Sequence, residues 1–301
     1  PGFRSPNGLG FDLNDRLFVT DNQGDWLGTS KLFHVQNGRF YGHPASLTWA
    51  DNWQSGRNPL KVSAKEFDIK RTRAAVLFPQ GLMANSPTQP IPDSTKGKFG
   101  PFTGQLFVGE MNRPRIIRVI LDKVAGEIQG ACMPFYDNAG LKKGNHRFVF
   151  GKDGSLWVGQ THLAWVGGQG LQRITWKDKI PLEVHSMKLL PNGFKITFTK
   201  SLAKSTSVSE QFQFKRYYYK YHQAYGSPQN GVEVVNVVGS EHHYNDKTVI
   251  VYLDKVNPGF VYQLDIKNLI AEDRSAIVNP LVCYTLNRMP NGDDKAPHLV
   301  R

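Results

Sequence analysis

The side chains best suited to chemistry are two arginines with polar neighbours. Arg4 lies three residues before Asn7, and Arg147 directly follows His146. A guanidinium pairs bidentately with carboxylates and stabilises a developing oxyanion, whereas a histidine accepts or donates a proton near neutral pH. Each residue also has a structural interpretation, in which the arginines brace strand ends and hydrogen bonds hold His146 in place.

Other polar residues allow both a binding and a structural interpretation. Asp21 and Asp25 carry carboxylates suited to a metal ion, but Asp in a tight turn commonly caps backbone amides. His43 precedes a proline, so it either lines a pocket or forms a turn. His242 and His243 resemble a metal-binding pair, yet neighbours on a strand point to opposite faces of the sheet and cannot easily share one ion.

The composition is that of a packed globular chain. The 301 residues are 40% apolar and 21% charged, and no run of about 18 apolar residues predicts a membrane span. The net charge of +12 comes without a dense basic cluster, and the closest approaches are Lys70-Arg71-Thr72-Arg73, Arg113-Pro114-Arg115 and Lys142-Lys143. No nucleic-acid-binding motif accompanies them, so we expect no nucleic-acid partner. The charge is either ordinary surface charge or a bias towards acidic polysaccharide.

The two cysteines leave two alternatives open. Cys132 and Cys283 lie far apart in the sequence. They either form one inter-domain disulfide, which requires an oxidising compartment, or remain buried free thiols. No spacing of Cys and His suits a zinc site.

Residues 1–178 repeat a unit of an apolar strand, a turn rich in Asp, Asn or Gly, and a second apolar strand. The unit occurs at 7–21 and 147–159, and its second strand recurs alone at 104–110. Such hairpins, spaced about 40–50 residues apart, are typical of β-propeller blades. Three blades cannot close a ring, since propellers need about 4–8, so we expect further blades upstream of Pro1 or on another chain. The start at Pro1, with neither Met nor an apolar leader, fits a cut inside a larger protein.

From about residue 179 the strands become longer and the Asp-Gly hairpins disappear. Roughly seven alternating strands predict a β-sandwich of immunoglobulin-like topology over residues 179–301, among them 193–199, 212–221, 248–253, 260–266 and 281–286. Sustained helical periodicity is absent, so the predicted fold class is all-β. Residues 85–101, rich in Pro, Ser, Thr, Lys and Gly, are predicted to be a loop.

Two segments near the start, 4–9 and 18–25, resemble the glucose/sorbosone dehydrogenase family of six-bladed propellers that bind pyrroloquinoline quinone (PQQ) with calcium. The whole chain is similar to a related group, large secreted bacterial proteins of the "membrane-bound dehydrogenase" type, through residues 43–47, 99–102, 126–132, 170–173, 225–228 and 284–288. The resemblance implies that residues 1–178 are the C-terminal half of a six-bladed propeller. It also implies a secreted or periplasmic location and a cytochrome c as electron acceptor, although no Cys-x-x-Cys-His occurs in this chain.

The resemblance also assigns roles in cofactor binding. It places Arg4 against the carbonyl oxygens of the quinone, where a guanidinium stabilises the oxyanion that develops as hydride arrives, and so makes Arg4 the catalytic candidate. It places Asn7 where an amide hydrogen-bonds cofactor or substrate. Arg147 then faces the acidic groups of the cofactor, with His146 beside it. Asn112 stands where the enzymes have a cofactor-contacting lysine.

The function implied is a PQQ-dependent dehydrogenase that oxidises a sugar or alcohol hydroxyl. Gln23 and Gly24 match a pair of calcium-binding backbone carbonyls, where family members usually have Gly-Pro. The family's catalytic histidine comes from an early blade, which would lie before Pro1. The altered calcium loop and Asn112 favour an alternative, a non-catalytic module that binds carbohydrate or protein. A lyase or hydrolase is a third hypothesis, because propellers host many functions.

Overall fold

The computed structural model describes residues 1–54, 56–163, 166–243 and 247–295, and these residues form an all-β structure. The strands of the first part are β1 (Pro6–Phe11), β2 (Leu17–Asp21), β3 (Ser30–His34), β4 (Val76–Phe78), β5 (Pro87–Pro92), β6 (Leu106–Glu110), β7 (Arg115–Val124), β8 (Glu127–Asp137), β9 (Asn145–Phe150), β10 (Leu156–Leu163) and β11 (Val166–Ile174). Those of the second part are β12 (Val184–Leu190), β13 (Gly193–Phe198), β14 (Phe212–Tyr218), β15 (Asn230–Val235), β16 (Val237–His243), β17 (Thr248–Leu253), β18 (Phe260–Ile266) and β19 (Leu281–Leu286). The predicted fold class is therefore confirmed at this level.

Helices are short in the part of the chain that the structure describes. They are α1 (Ala64–Asp68), α2 (Val208–Gln211) and two 3-10 helices (Pro44–Trp49 and Pro59–Lys61). The side chain of Ser63 caps α1 by accepting a hydrogen bond from the backbone of Lys65. Within the described ranges, no helix has the length and apolar character needed to cross a membrane.

The strands of the described ranges pair into four antiparallel sheets, and none of these sheets closes on itself. Their orders are β1-β2-β3-β4, β11-β10-β9, β12-β13-β17-β16 and β15-β14-β18-β19-β8-β7-β6-β5. The first predicted hairpin is confirmed as β1-β2, with Asp12 at its turn. The Asp12 carboxylate accepts hydrogen bonds from the backbone amides of Asn14 and Arg16, which explains why an acidic residue begins this turn.

Three of these sheets meet along edge strands β1, β5 and β9. The Asn7 side chain of β1 donates to the carbonyl oxygen of Pro87 in β5, 3.2 Å away, and the backbone amide of Phe148 in β9 donates to the side chain of Gln89 in β5. A Cβ atom on Gly8 would lie 2.4 Å from the backbone of Gln89. Glycine at this position therefore permits the close approach of β1 and β5.

Strand β5 lies inside the segment predicted to be a loop, so that prediction is wrong for residues 87–92. The prolines at 87, 90 and 92 suggested irregular structure because they lack the amide that a strand uses for pairing. β5 is the last strand of its sheet, and among the described strands it pairs only with β6. An edge strand tolerates proline because one of its sides needs no sheet partner.

In the second part of the chain two sheets pack face to face. Phe194 of β13 contacts Tyr262 of β18 and Tyr284 of β19 across the core, with ring centroids 5.8 and 5.0 Å apart. This arrangement buries apolar side chains from both sheets. The immunoglobulin-like topology remains a prediction.

The eight-stranded sheet contains strands from both sides of residue 178. β8 pairs with β19, and this pairing sets Cys132 directly opposite Cys283. Both are buried free thiols in the structure, and burial raises the pKa of Cys283 to about 12. The predicted boundary at 178/179 is untested, but the two predicted domains share a continuous sheet.

Candidate functional site

Polar side chains gather where strands β1, β5 and β9 begin. Asn7 is the centre of the cluster: its Nδ2 donates to the carbonyl oxygen of Pro87, and its Oδ1 lies 3.1 Å from Nε2 of His146. The backbone oxygen of Asn7 accepts from Nη1 of Arg147 at 3.3 Å. The fold thus brings together three of the residues predicted from the sequence, although about 140 residues separate the two strands that carry them.

The hydrogen bonds of Asn7 determine the tautomer of His146. Because Nδ2 of Asn7 donates to Pro87, the oxygen of the amide faces the imidazole, and Nε2 of His146 must carry the hydrogen. Desolvation, followed by the charge of Arg147, lowers the pKa of His146 below its ordinary value of 6.5. The ring is therefore neutral at pH 7, with its lone pair on Nδ1, and it can accept a proton from a hydroxyl group.

Both predicted arginines keep part of their guanidinium unpaired. Nη1 of Arg147 donates to the backbone oxygens of Asn7 and His146, and its Nη2 donates to no residue in the described ranges. Nε of Arg4 donates to Asp25 at 2.5 Å, while neither Nη atom of Arg4 has a hydrogen-bond acceptor in those ranges. The Arg4 side chain is 28% exposed, and its Cζ lies 5.3 Å from the centre of the Tyr225 ring. These free donors suit a carboxylate or another oxyanion.

Asp25 and His43 extend the cluster around Arg4. Nε2 of His43 lies 3.2 Å from the second carboxylate oxygen of Asp25. Desolvation raises the pKa of Asp25, but the hydrogen bonds from Arg4 and His43 outweigh it and lower the pKa below 3.8. Asp25 is thus an anionic link between a guanidinium and an imidazole. No sequence signal revealed this pair, because the loop between the two residues decides whether they meet.

Asp21 has a structural role, but it binds distant backbone amides and not the local turn amides expected from the sequence. Its two carboxylate oxygens accept hydrogen bonds from the backbone amides of Arg4 and Ser5, at 2.9 and 2.7 Å. The carboxylate is fully buried, and desolvation raises its pKa despite these bonds. Asp21 therefore holds the segment that carries Arg4 at the end of β2.

Of the two backbone carbonyls that the resemblance assigns to calcium, those of Gln23 and Gly24, the one of Gly24 does not fit that role. The backbone oxygen of Gly24 accepts hydrogen bonds from the amides of Leu27 and Gly226, at 3.1 and 2.9 Å, which occupy both lone pairs. Among the residues with a described position, no group of three or more His, Cys, Asp and Glu side chains could hold a metal ion. A Cβ atom on Gly24 would lie 2.0 Å from Nε of Arg4. Because Gly24 has no side chain, the side chain of Arg4 can lie directly against the backbone at this position.

Asn112 lies in the turn after β6, where it contacts Glu110 and not the residues around Asn7. Its backbone amide donates to the carboxylate of Glu110 at 2.8 Å, and its buried side-chain Oδ1 has no hydrogen-bond partner among the described residues. Glu110 also accepts from the amides of Asn85 and Ser86, and burial raises its pKa above 4.5. The sequence offered no signal for Glu110, which is a fully buried carboxylate.

Comparison with known proteins finds only loose structural likeness. No protein-family model and no curated protein matches the chain. A crystal structure from Thermus thermophilus, whose assignment as an oxidoreductase (glucose dehydrogenase) is provisional, matches with a TM-score of 0.34 and 18% identity. The match covers 53% of this chain and 39% of that one.

Proposed function

We propose that the chain carries part of a quinone-dependent dehydrogenase site that oxidises a sugar or alcohol hydroxyl. One observation carries the proposal. Arg147 has unpaired guanidinium donors next to the neutral imidazole of His146, and Arg4, three residues before Asn7, has unpaired donors as well. Cationic donors beside a proton acceptor suit hydride removal, which needs both a base and a held acceptor.

We propose further that the three sheets meeting at β1, β5 and β9 are blades of a propeller. The meeting of edge strands from separate sheets supports this arrangement. Leu9 and Phe11 on β1 and Val149 on β9 are 63%, 54% and 61% exposed. Apolar side chains exposed along these strands are consistent with surfaces that further blades of the same or another chain cover.

The chain's own residues would act as follows. The unpaired Nη groups of Arg4 and Arg147 would hold the carboxylates and carbonyl oxygens of PQQ, which when bound supplies the hydride acceptor. In place of the upstream histidine that the resemblance implies, Nδ1 of His146 would take the proton of the substrate hydroxyl while the hydride leaves the carbon that bears this hydroxyl. Asn7 would act as a positioning residue, because its amide holds the hydrogen of His146 on Nε2.

Calcium bound through Gly24 is not part of the proposal, because the carbonyl oxygen of Gly24 is already paired twice. The proposed substrate is a carbohydrate or small alcohol. A cytochrome c would serve as the electron acceptor, and the site would work in a secreted or periplasmic protein. The substrate, the electron acceptor and the location are supported by the sequence resemblance alone.

Calorimetric titration of PQQ into the protein tests the proposal, first with calcium chloride and then with a chelator. We expect binding that survives the chelator and that Arg147→Ala weakens at least tenfold. Arg173→Ala is the matched control, since Arg173 is also a strand arginine and pairs with Asp153 outside the cluster. Absence of binding at high micromolar PQQ, or equal loss in both variants, would overturn the proposal.

A non-catalytic carbohydrate-binding site is the second candidate, and the pairing of Gly24 favours it. If the calcium site is absent and PQQ does not bind, the exposed ring of Tyr225 over Arg4 still offers a stacking surface for a sugar. Binding on a glycan array that Tyr225→Ala abolishes, together with no PQQ binding, would establish this alternative.

A further inference from the structure

Lys31 is a buried lysine whose ammonium group has no hydrogen-bond partner in the described ranges. The residue lies in β3, opposite Asp21 of β2 and Leu77 of β4, and is 6% exposed. Its Nζ makes a cation–π contact with the ring of Phe33, 5.9 Å from the centroid. Burying an ammonium without a hydrogen-bonded partner is costly. Burial and the charge of Arg71 accordingly lower the pKa of Lys31 to about 7, against a partial offset from Asp21.

Lys31 lines a cavity of about 60 Å³ together with three other basic residues. Arg71, Arg73 and Lys220 contribute to the same wall, and no described carboxylate lines the cavity. A cavity needs roughly 10–15 Å³ on this measure to hold one water. The space therefore admits a group the size of a carboxylate, sulfate or phosphate, and its lining attracts negative charge.

Two of these cations are held in place by the protein around them. Nε of Arg71 donates to Asp68 at 2.6 Å, and the guanidinium lies 4.4 Å from the centre of the Tyr221 ring. Nη1 of Arg73 donates to the backbone oxygens of Asn287 and Asp294, at 3.5 and 3.3 Å. Neither Nη atom of Arg71, nor Nη2 of Arg73, donates to any residue in the described ranges. Fixed guanidiniums with unpaired donors form a preorganised oxyanion site.

A larger groove of about 480 Å³ adjoins the cavity and shares Arg71, Arg73 and Asn287 with it. It contains the basic run Lys70-Arg71-Thr72-Arg73 that stood out in the sequence. Six described cations line the groove against three carboxylates; the cations are Arg39, Lys65, Lys70, Arg71, Arg73 and Arg288. A ligand that reaches the cavity through this groove would meet positive charge along its path.

We propose that the cavity beside Lys31 binds an oxyanion group, and that the groove holds the rest of an anionic ligand such as an acidic sugar. Lys31 supplies a compact positive charge, and Arg71 and Arg73 supply planar donors. The ligand's negative charge offsets the cost of the buried ammonium. The site does not depend on the proposed dehydrogenase function, because none of its residues belongs to the Asn7 cluster.

Calorimetric titration with sodium sulfate at constant ionic strength is the first test. At pH 8 most Lys31 is neutral, so binding should take up close to one proton, seen as a dependence of the heat on buffer ionisation enthalpy. The charged and titratable groups around Lys31 are Asp21, Arg71, Arg73, Lys220, Tyr219 and Tyr221. Sulfate itself does not titrate in this range. Binding without proton uptake would contradict the role of Lys31.

Substitution of Lys31 supplies the second test. Lys31→Met should lower sulfate affinity at least tenfold, whereas Lys188→Met, at an exposed strand lysine outside both cavities, should leave it unchanged. Equal affinity in both variants would place the anion elsewhere and overturn the proposal. If Lys31→Met does not fold, sulfate should slow acylation of Lys31 by acetic anhydride in the wild type, as measured by peptide mapping, and no protection would refute the site.

A matched pair of sugars then tests the class of ligand. D-glucuronate carries the carboxylate that D-glucose lacks, so we expect D-glucuronate to compete with sulfate and D-glucose to have no effect. Competition by both sugars would contradict recognition of an oxyanion. This result does not bear on the dehydrogenase proposal, because that proposal is tested separately by PQQ binding to the Arg147 variant.

Discussion

Two regions of the molecule bury a positive charge in opposite ways. Arg118 of β7 is fully buried, and its two Nη atoms donate to Gln105, to Glu183 and to the backbone of Val184, each at 2.7 Å. Lys31 of β3 is almost as buried but has no hydrogen-bond partner in the described ranges. A cation that the protein pairs itself serves to hold elements together, whereas one left without a partner beside a cavity is available to a ligand.

The largest expected effect is the loss of the Arg118 pair. Arg118→Met leaves Glu183 buried without its cation and should lower the free energy of unfolding by about 3–5 kcal/mol. Urea denaturation followed by fluorescence measures the change. Arg118→Met combined with Glu183→Gln should recover part of the loss. If Arg118→Met alone were as stable as the wild type, the pairing of Arg118 would not stabilise the fold, and the contrast with Lys31 would be wrong.

Lys31→Met should change the pH dependence of stability. The unfolded chain keeps the ordinary lysine pKa of 10.5, while burial lowers the folded value to about 7. Between these values the unfolded state binds a proton that the folded state lacks, so stability rises with pH. From pH 7 to pH 9 the titration of Lys31 raises the free energy of unfolding of the wild type by about 2 kcal/mol, and it contributes nothing in the variant.

Urea titrations of both proteins across this range measure that difference. The cysteines and tyrosines titrate equally in both chains, so the difference between the two curves isolates Lys31. Parallel curves would contradict the buried, unpaired ammonium. Added sulfate should reduce the difference, because a bound anion keeps Lys31 protonated.

The pair between Arg4 and Asp25 should contribute little to stability. Both side chains are partly exposed, at 28% and 40%, and exposed pairs contribute about 0.2–1 kcal/mol. We expect Arg4→Ala and Asp25→Asn to lower the free energy of unfolding within that range, as measured by urea denaturation. Of these two variants, only Arg4→Ala should weaken PQQ binding strongly. If Arg4→Ala lowered the free energy of unfolding by several kcal/mol, Arg4 would mainly stabilise the fold, as Arg118 does.

Arg147→Ala should have the smallest effect on stability. Arg147 is exposed and its hydrogen bonds are to backbone oxygens, so the change should stay within about 0.5 kcal/mol. Thermal unfolding of the variant beside the wild type measures it. An unchanged melting temperature together with lost PQQ binding would separate function from folding at this position.

Much of the strand pattern could be predicted from local sequence. Strands β17, β18 and β19 have the predicted bounds, because alternating apolar residues between turn signals indicate a strand without help from distant residues. Strand β5 could not be predicted in this way. Its prolines led to the prediction of a loop. They are compatible with a strand because β5 lies at the edge of its sheet.

The sequence by itself determined the all-β class, the hairpin turns and the types of residue that could do chemistry, since these depend on periodicity and on side-chain identity. Only the tertiary structure decided which of those residues meet. Asn7 contacts His146 because β1 and β9 flank β5, and the backbone oxygen of Gly24 accepts a hydrogen bond from the amide of Gly226, about 200 residues away in the sequence. Lys31 is buried beside Arg71 and Arg73 by the packing around β3, which its own sequence neighbourhood does not indicate. Contacts of this kind depend on long-range pairing of strands, which local propensity does not encode.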